Sequence, residues 1–187
     1  MSEAAPRLVP VTTWYLEMHE RAALRPAAAP RVPATIVRAE IPSPALSRFL
    51  YTSVGGDWHW RDRLPWTWAQ WQQWLDRPQL QTWVLQVRGT PAGYVELEAQ
   101  SGGDVEIAYF GIAPPFFGQG LGGHLLGEGI ARAWDLGARR VWVHTCSLDH
   151  PAALSNYRSR GMALYREETQ LRPVPARSAG PWPGATP

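Results

Sequence analysis

Residues 111–126 read GIAPPFFGQGLGGHLL, with five glycines among sixteen residues: Gly111, Gly118, Gly120, Gly122 and Gly123. Glycine weakens strands and helices alike, because ordering its backbone costs extra entropy and it offers no side chain to pack. Such a cluster belongs where the backbone must stay bare. Its flanks are regular. Val105–Ile112 predicts a strand. Gly122–Asp135 predicts a helix, with Leu125, Leu126, Ile130 and Ala133 on one buried face and Gly137 as its C-terminal cap. A strand that runs through a glycine-rich loop into a helix is an anion site. The first N–H groups of a helix lack internal partners, and its dipole adds roughly half a positive charge there. The predicted ligand is a phosphate or pyrophosphate.

The rest of the chain supplies the frame. Val11–Met18 and Thr35–Ile41 predict strands, separated by the Pro/Ala-rich connector 20–34. Ser43 and Pro44 open a short helix over 44–54, and Thr67 caps a second over Thr67–Leu75. Thr82–Arg88, Gly93–Gln100 and Val105–Ile112 are joined by four-residue turns, so they form an antiparallel meander. After the glycine loop and its helix come a strand Arg140–Thr145, a helix Ala152–Arg160 and a last strand Met162–Leu171. The fold class is α/β of the α+β type, with a mixed, mainly antiparallel central sheet flanked by helices. The N-terminal strand and connector occupy 1–34 and the main domain 35–171. The Pro/Gly-rich tail 172–187 is expected to be disordered.

Composition removes several function classes. The net charge of +2 is too small to suggest nucleic acid binding, and no apolar run is long enough to span a membrane. The N-terminus lacks a signal peptide's basic region and apolar core, and the single cysteine, Cys146, excludes an intramolecular disulfide; a cytoplasmic protein is expected. All 18 basic residues are arginine, which reads as the codon bias of a GC-rich genome, such as a bacterial one. No set of histidines, cysteines and acids has metal spacing.

Gly118, Gly120 and Gly123 also match G-x-G-x-x-G, a dinucleotide fingerprint. The context opposes it. The preceding strand belongs to an antiparallel meander, and no acid ends the strand after the helix. A Walker loop is excluded by the absence of lysine. VEIAYFGIAPPFFGQGLGGHLL, residues 105–126, instead resembles the acetyl-CoA motif of the GNAT N-acetyltransferases, whose loop reads Q/R-x-x-G-x-G/A. Gly120 and Gly122 are in register, and Phe117 stands where Gln or Arg is usual. DHPAALSNYRSRGM, residues 149–162, is similar to a second segment of that family. Ala153, Tyr157 and Gly161 match it, and His150 and Met162 replace Asn and Phe.

The resemblance implies a GNAT-like fold and acetyl-CoA as co-substrate. Gly111, Ile112 and Ala113 would pair with the pantetheine arm. Phe117, Gly118, Gln119, Gly120, Leu121, Gly122 and Gly123 would surround the pyrophosphate. Transfer to an amine requires loss of the ammonium proton, a polarised carbonyl and protonation of the leaving thiolate. Glu106 resembles a base glutamate of the histone-type branch, with Glu96 and Glu98 on the neighbouring strand as rivals, one of which could bind the cationic acceptor. Tyr157 is the candidate acid. Cys146 and His124 read as structural, and His144 and His150 are site candidates by position alone.

Trp68, Trp71 and Leu75 recur at helical spacing beside Trp74, as in a packed helix face. Trp58 and Trp60 lie in a loop opened by two glycines. With Glu96 they are the candidate acceptor contacts, as walls for a hydrophobic or aromatic amine. The expected activity is direct acetyl transfer from acetyl-CoA to a primary amine of a small molecule, without a covalent enzyme intermediate. The alternatives are a protein amine as acceptor, or a non-catalytic acyl-CoA-binding domain of the same fold. No membrane partner is expected. A homodimer is possible, since the N-terminal strand could either complete the sheet or pair between copies.

Overall fold

A computed structural model describes residues 6–175. Seven strands form one sheet: β1 (Arg7–Met18), β2 (Thr35–Arg38), β3 (Leu80–Val87), β4 (Thr90–Ala99), β5 (Asp104–Ile112), β6 (Arg140–Cys146) and β7 (Ala163–Val174). Four helices flank it: α1 (Pro44–Gly55), α2 (Trp68–Leu75), α3 (Leu121–Asp135) and α4 (Ala153–Ser159). The strand order is β2-β3-β4-β5-β6-β1-β7, and every pairing is antiparallel except β5 with β6.

Local signals set the helix starts. Ser43 accepts from Leu46 N at 3.3 Å with Pro44 in the first turn of α1. At α2, Thr67 and Gln70 form a reciprocal capping box, with bonds of 2.8 and 3.3 Å. Such a cap stabilises a helix by about 1 kcal/mol. Trp71 points inward, 2% exposed, whereas Trp68 is 67% exposed. The buried stripe of α2 therefore excludes Trp68, which stands in its first turn and faces away.

The two sheet faces carry separate cores. Leu121, Leu125, Leu126 and Ile130 of α3 pack with Val95, Leu97, Val105 and Ile107 of the meander and with Val141 and Val143 of β6. On the other face, Leu50 and Val54 of α1 meet Val84 and Tyr94. Burial of each such large side chain stabilises the fold by about 1.5–3 kcal/mol.

The N-terminal strand completes the sheet. Its pairing with β6 runs from Thr13↔Cys146 to Met18↔Val141, and its other edge pairs with β7 along nearly its whole length. β1 is thus flanked by β6 over Thr13–Met18 and by β7 over Arg7–Glu17. Trp14, Leu16 and Met18 join the α3–α4 core, while Thr13 and Tyr15 face the groove described below. The last strand runs three residues past Leu171, because Arg172, Pro173 and Val174 pair with Val9, Leu8 and Arg7. The remainder of the expected disordered tail, from residue 176, lies outside the described residues.

Candidate active site

β5 and β6 pair in parallel only over Asp104↔Arg140, Val105↔Val141 and Glu106↔Trp142, and then part. A bulge opposite Glu96/Leu97 displaces β5 beyond that point. The parting opens a groove of about 920 Å³. Among the described residues, β5 from Ile107 onward has no strand partner on this side, so its backbone can bond an extended ligand with amide groups.

The glycine loop closes one end. Gly118 and Gly120 hold φ of +76° and +78°, the left-handed conformation that other residues adopt only under strain, and Gly120 caps α3. Of the ten expected coenzyme contacts, Gly111, Ile112, Phe117, Gly118, Gly120, Leu121, Gly122 and Gly123 line the groove. Ala113 and Gln119 do not. The Ala113 N–H bonds Ala92 O at 2.8 Å, and Gln119 O accepts from Arg31 N at 2.9 Å.

Two groove residues that the sequence had not singled out, Asn156 and Arg160, reach the first turn of α3 from α4 and its C-terminus. Arg160 Nη1 lies 3.4 Å from where a Cβ on Gly123 would stand, and the Asn156 side chain lies 3.8 Å from the corresponding points on Gly122 and Gly123. Among the described residues, Arg160 Nε and Nη1 are buried without an acceptor. Orphaned buried donors cost about 1–3 kcal/mol each, more when charged. An anion at the bare α3 N-terminus would satisfy them, so the residues present fit a pyrophosphate even though Phe117 offers no polar group.

Tyr157 lines the groove and is 5% exposed, and among the described residues its hydroxyl has no hydrogen-bond partner. Burial, with the charge of Asp149 added, pushes its ionisation well above the ordinary phenol range. Asp149 ties the region together. It accepts from Trp60 Nε1 at 3.1 Å, Thr145 Oγ1 at 2.7 Å and Cys146 N at 2.8 Å. Cys146 is half-buried, and burial and Asp149 raise its thiol.

The three glutamates occupy different settings. Glu106 lines the groove, accepts from Gln100 Nε2 at 2.8 Å and faces His144 at 3.5 Å. Glu98 lines it too, and pairs with Arg77 at 2.6 Å. Glu96 does not reach it. That side chain is 2% exposed and holds Arg63 in a two-pronged ion pair of 2.8 and 3.2 Å. Arg63 is itself boxed by Trp66, Trp74 and Tyr109, with Cζ 4.9, 4.2 and 4.2 Å from their ring centres. Sequence spacing put Glu96 and Glu98 on one face but could not show that an arginine thirty-three positions away neutralises one of them.

Trp58 and Trp60 both line the groove. Trp60 packs so closely on Gly55 that a side chain there would overlap its ring, and it meets Tyr109 edge-on at 4.9 Å. Trp58 meets His150 edge-on at 4.9 Å, and His150 meets Phe117 at 5.2 Å. Two of the three residues that depart from the family pattern, Phe117 and His150, thus touch each other. Among the described residues no cluster of His, Cys, Asp and Glu could hold a metal, and no helix is long and apolar enough to cross a membrane.

The sequence profile of the acetyltransferase (GNAT) family matches residues 46–162, more than half of the chain. The chain belongs to the GNAT acetyltransferase family. No curated protein matches it. Solved GNAT structures share its fold. A GCN5-related N-acetyltransferase from Sphaerobacter thermophilus superposes with a TM-score of 0.60 and 20% identity over 94% of this chain and 56% of the other. The corresponding protein from Kribbella flavida gives 0.63 and 18% over 89% and 59%. This GNAT chain therefore spans less than two thirds of either protein. An aminoglycoside acetyltransferase from an uncultured soil metagenomic sample, solved with sisomicin, gives 0.57 and 16% over 68% and 86%.

Burial raises four tyrosines of this GNAT fold: Tyr51 to about 12, and Tyr94, Tyr109 and Tyr157 in the same direction. Unfolded, each phenol titrates near about 10. The folded state holds these protons more firmly, so the linked stability is complete below that pH and is lost as pH rises above it. In an alkaline titration, phenolate absorbance from these residues is expected to appear together with loss of near-UV circular dichroism. Their ionisation in a still-folded protein would contradict the burial described.

Proposed function

We propose that the protein transfers the acetyl group of acetyl-CoA to a primary amine of a small molecule by direct attack. The observation that carries the reading is the groove where β5 and β6 part, with a bare helix N-terminus and orphaned arginine donors at one end and Tyr157 and Glu106 along it. Acetyl-CoA would supply the activated acetyl group and a thiol leaving group. Gly118, Gly120, Gly122, Gly123, Asn156 and Arg160 would hold its phosphates. Glu106 places a carboxylate on the side where the ammonium proton must be removed, and Tyr157 keeps a proton at neutral pH for the departing thiolate. Trp58 and Trp60 would wall the acceptor side, which suits an aromatic or cationic amine. The aminoglycoside enzyme of similar fold makes a cationic small molecule a reasonable acceptor class.

Arg160→Gln is expected to weaken acetyl-CoA binding by roughly ten- to a hundredfold, the effect of one charged hydrogen-bonding group, with little change in kcat. Calorimetry and saturation kinetics check both halves. The reading itself is tested by thiol release from acetyl-CoA over a panel of primary amines. Amine-dependent release supports it. Binding of acetyl-CoA without turnover by any amine would favour the non-catalytic alternative.

A further inference from the structure

We propose that His144 is the group that takes the acceptor's proton and that Glu106 acts through it as a positioning residue; this rests on the acetyl-transfer reading above. Glu106 sits at the last parallel pair, where β5 and β6 begin to part, and its side chain is 13% exposed. Both of its oxygens already face protein groups. Oε2 accepts from Gln100 Nε2 at 2.8 Å, and Gln100 Oε1 in turn accepts from Trp142 Nε1 at 3.0 Å. Oε1 faces His144 Nδ1 at 3.5 Å. Each oxygen thus already has one protein neighbour, and the carboxylate is more covered than the imidazole in front of it.

His144 stands two residues further along β6, on the open wall of the groove, with its side chain 50% exposed. Its ring is held on two flanks, by Trp142 at 6.1 Å in a near-parallel stack and by its cross-strand neighbour Tyr15 at 6.0 Å. With Nδ1 turned toward Glu106, Nε2 is the nitrogen left to take the acceptor's proton. A carboxylate behind Nδ1 selects the tautomer whose Nε2 lone pair is free, and stabilises the imidazolium that forms. Such contacts are often long without substrate and shorten in the reacting complex.

The step balances. An ammonium N–H bond breaks and its proton passes to His144 Nε2, which returns it to solvent. The freed lone pair then forms the C–N bond at the thioester carbonyl, and the tetrahedral nitrogen loses a second proton to solvent. The C–S bond breaks, the thiolate takes the Tyr157 proton, and solvent reprotonates Tyr157, so that one proton is released in all. The charged and titratable groups around His144 are Glu106 from β5, Tyr15 and Glu17 from β1, and Cys146 and Arg140 on its own strand, Arg140 over the Trp142 ring at 5.7 Å. From β7, Tyr165 and Arg166 stand against Tyr15. Among the described residues, only Glu106 is in ion-pair range of the imidazole.

The test is thiol release from acetyl-CoA with tryptamine as acceptor, across pH, for the unmodified protein, His144→Gln, Glu106→Gln and the double variant. His144→Gln is expected to lower kcat by about a hundredfold or more, leave the KM for acetyl-CoA unchanged, and abolish the fall in activity toward acid pH. Glu106→Gln is expected to lose only about tenfold and to keep that fall, a loss typical of a positioning contact. The double variant should match His144→Gln, because a residue acting through another adds nothing once that other is gone. Added imidazole should restore part of the activity of His144→Gly. A near-unmodified His144→Gln beside an inactive Glu106→Gln would overturn the proposal, as would losses that multiply. Calorimetry with acetyl-CoA on each protein separates the failures. An unmodified protein that binds none overturns the acetyl-transfer reading, whereas binding and transfer that survive His144→Gln overturn this inference alone.

Discussion

Glu96→Ala is expected to destabilise the protein by about 3–5 kcal/mol, the cost of leaving one member of a buried ion pair without its partner. Arg63 is 4% exposed and Glu96 1%. Burial opposes the charge of the guanidinium, and Glu96 beside it holds it protonated. Trp74 Nε1 gives the carboxylate a third bond at 3.1 Å. With the carboxylate gone, Arg63 remains boxed among Trp66, Trp74 and Tyr109, where aromatic faces attract a cation but cannot accept its five N–H groups. A loss of this size takes a large share of the roughly 5–15 kcal/mol that holds a domain together. A thermal melt should fall by about 6–20 °C, and Glu96→Gln, which keeps an acceptor, should fall less. An unchanged melt for Glu96→Ala would mean that the pair is not the keystone of the α2–β4 contact.

Tyr157→Phe carries the second large effect, and it falls on rate. The hydroxyl has no partner within the described protein and lines the groove, so its removal leaves no broken bond behind. The melt should stay nearly unchanged. If Tyr157 protonates the thiolate, kcat should drop by about a hundredfold or more while the KM for acetyl-CoA holds. A variant that keeps full kcat would reduce Tyr157 to a wall of the groove, where it already meets Phe110 edge-on at 6.0 Å.

Much of the architecture was legible because its signals are local. Caps at Ser43 and Thr67, four-residue turns and a glycine loop between a strand and a helix are written in neighbouring residues. The strand ends followed within a few residues. What could not be read was long-range pairing. Nothing in Val11–Met18 says that it slots between β6 and β7, because that placement depends on two strands more than a hundred positions away. The same limit applies to the site. The glycines and Tyr157 announce themselves by motif. Arg160 follows that motif's tyrosine, but its orphaned nitrogens and their approach to Gly123 appear only once α4 is laid beside α3. Glu96, Glu98 and Glu106 look alike in sequence, and Arg63, Arg77 and His144 tell them apart. Trp68 shows the weakness of periodicity over a helix of eight residues, where one turn at the end escapes the stripe.

Calorimetric titration of the protein with acetyl-CoA, with NAD as the control, tests the central claim most directly. Saturable one-site binding of acetyl-CoA and none of NAD is the expected result. Absence of acetyl-CoA binding by the folded protein would contradict the account at its root, because the glycine loop, Asn156 and Arg160 would then hold no coenzyme phosphates and the acetyl-transfer reading would fall with them.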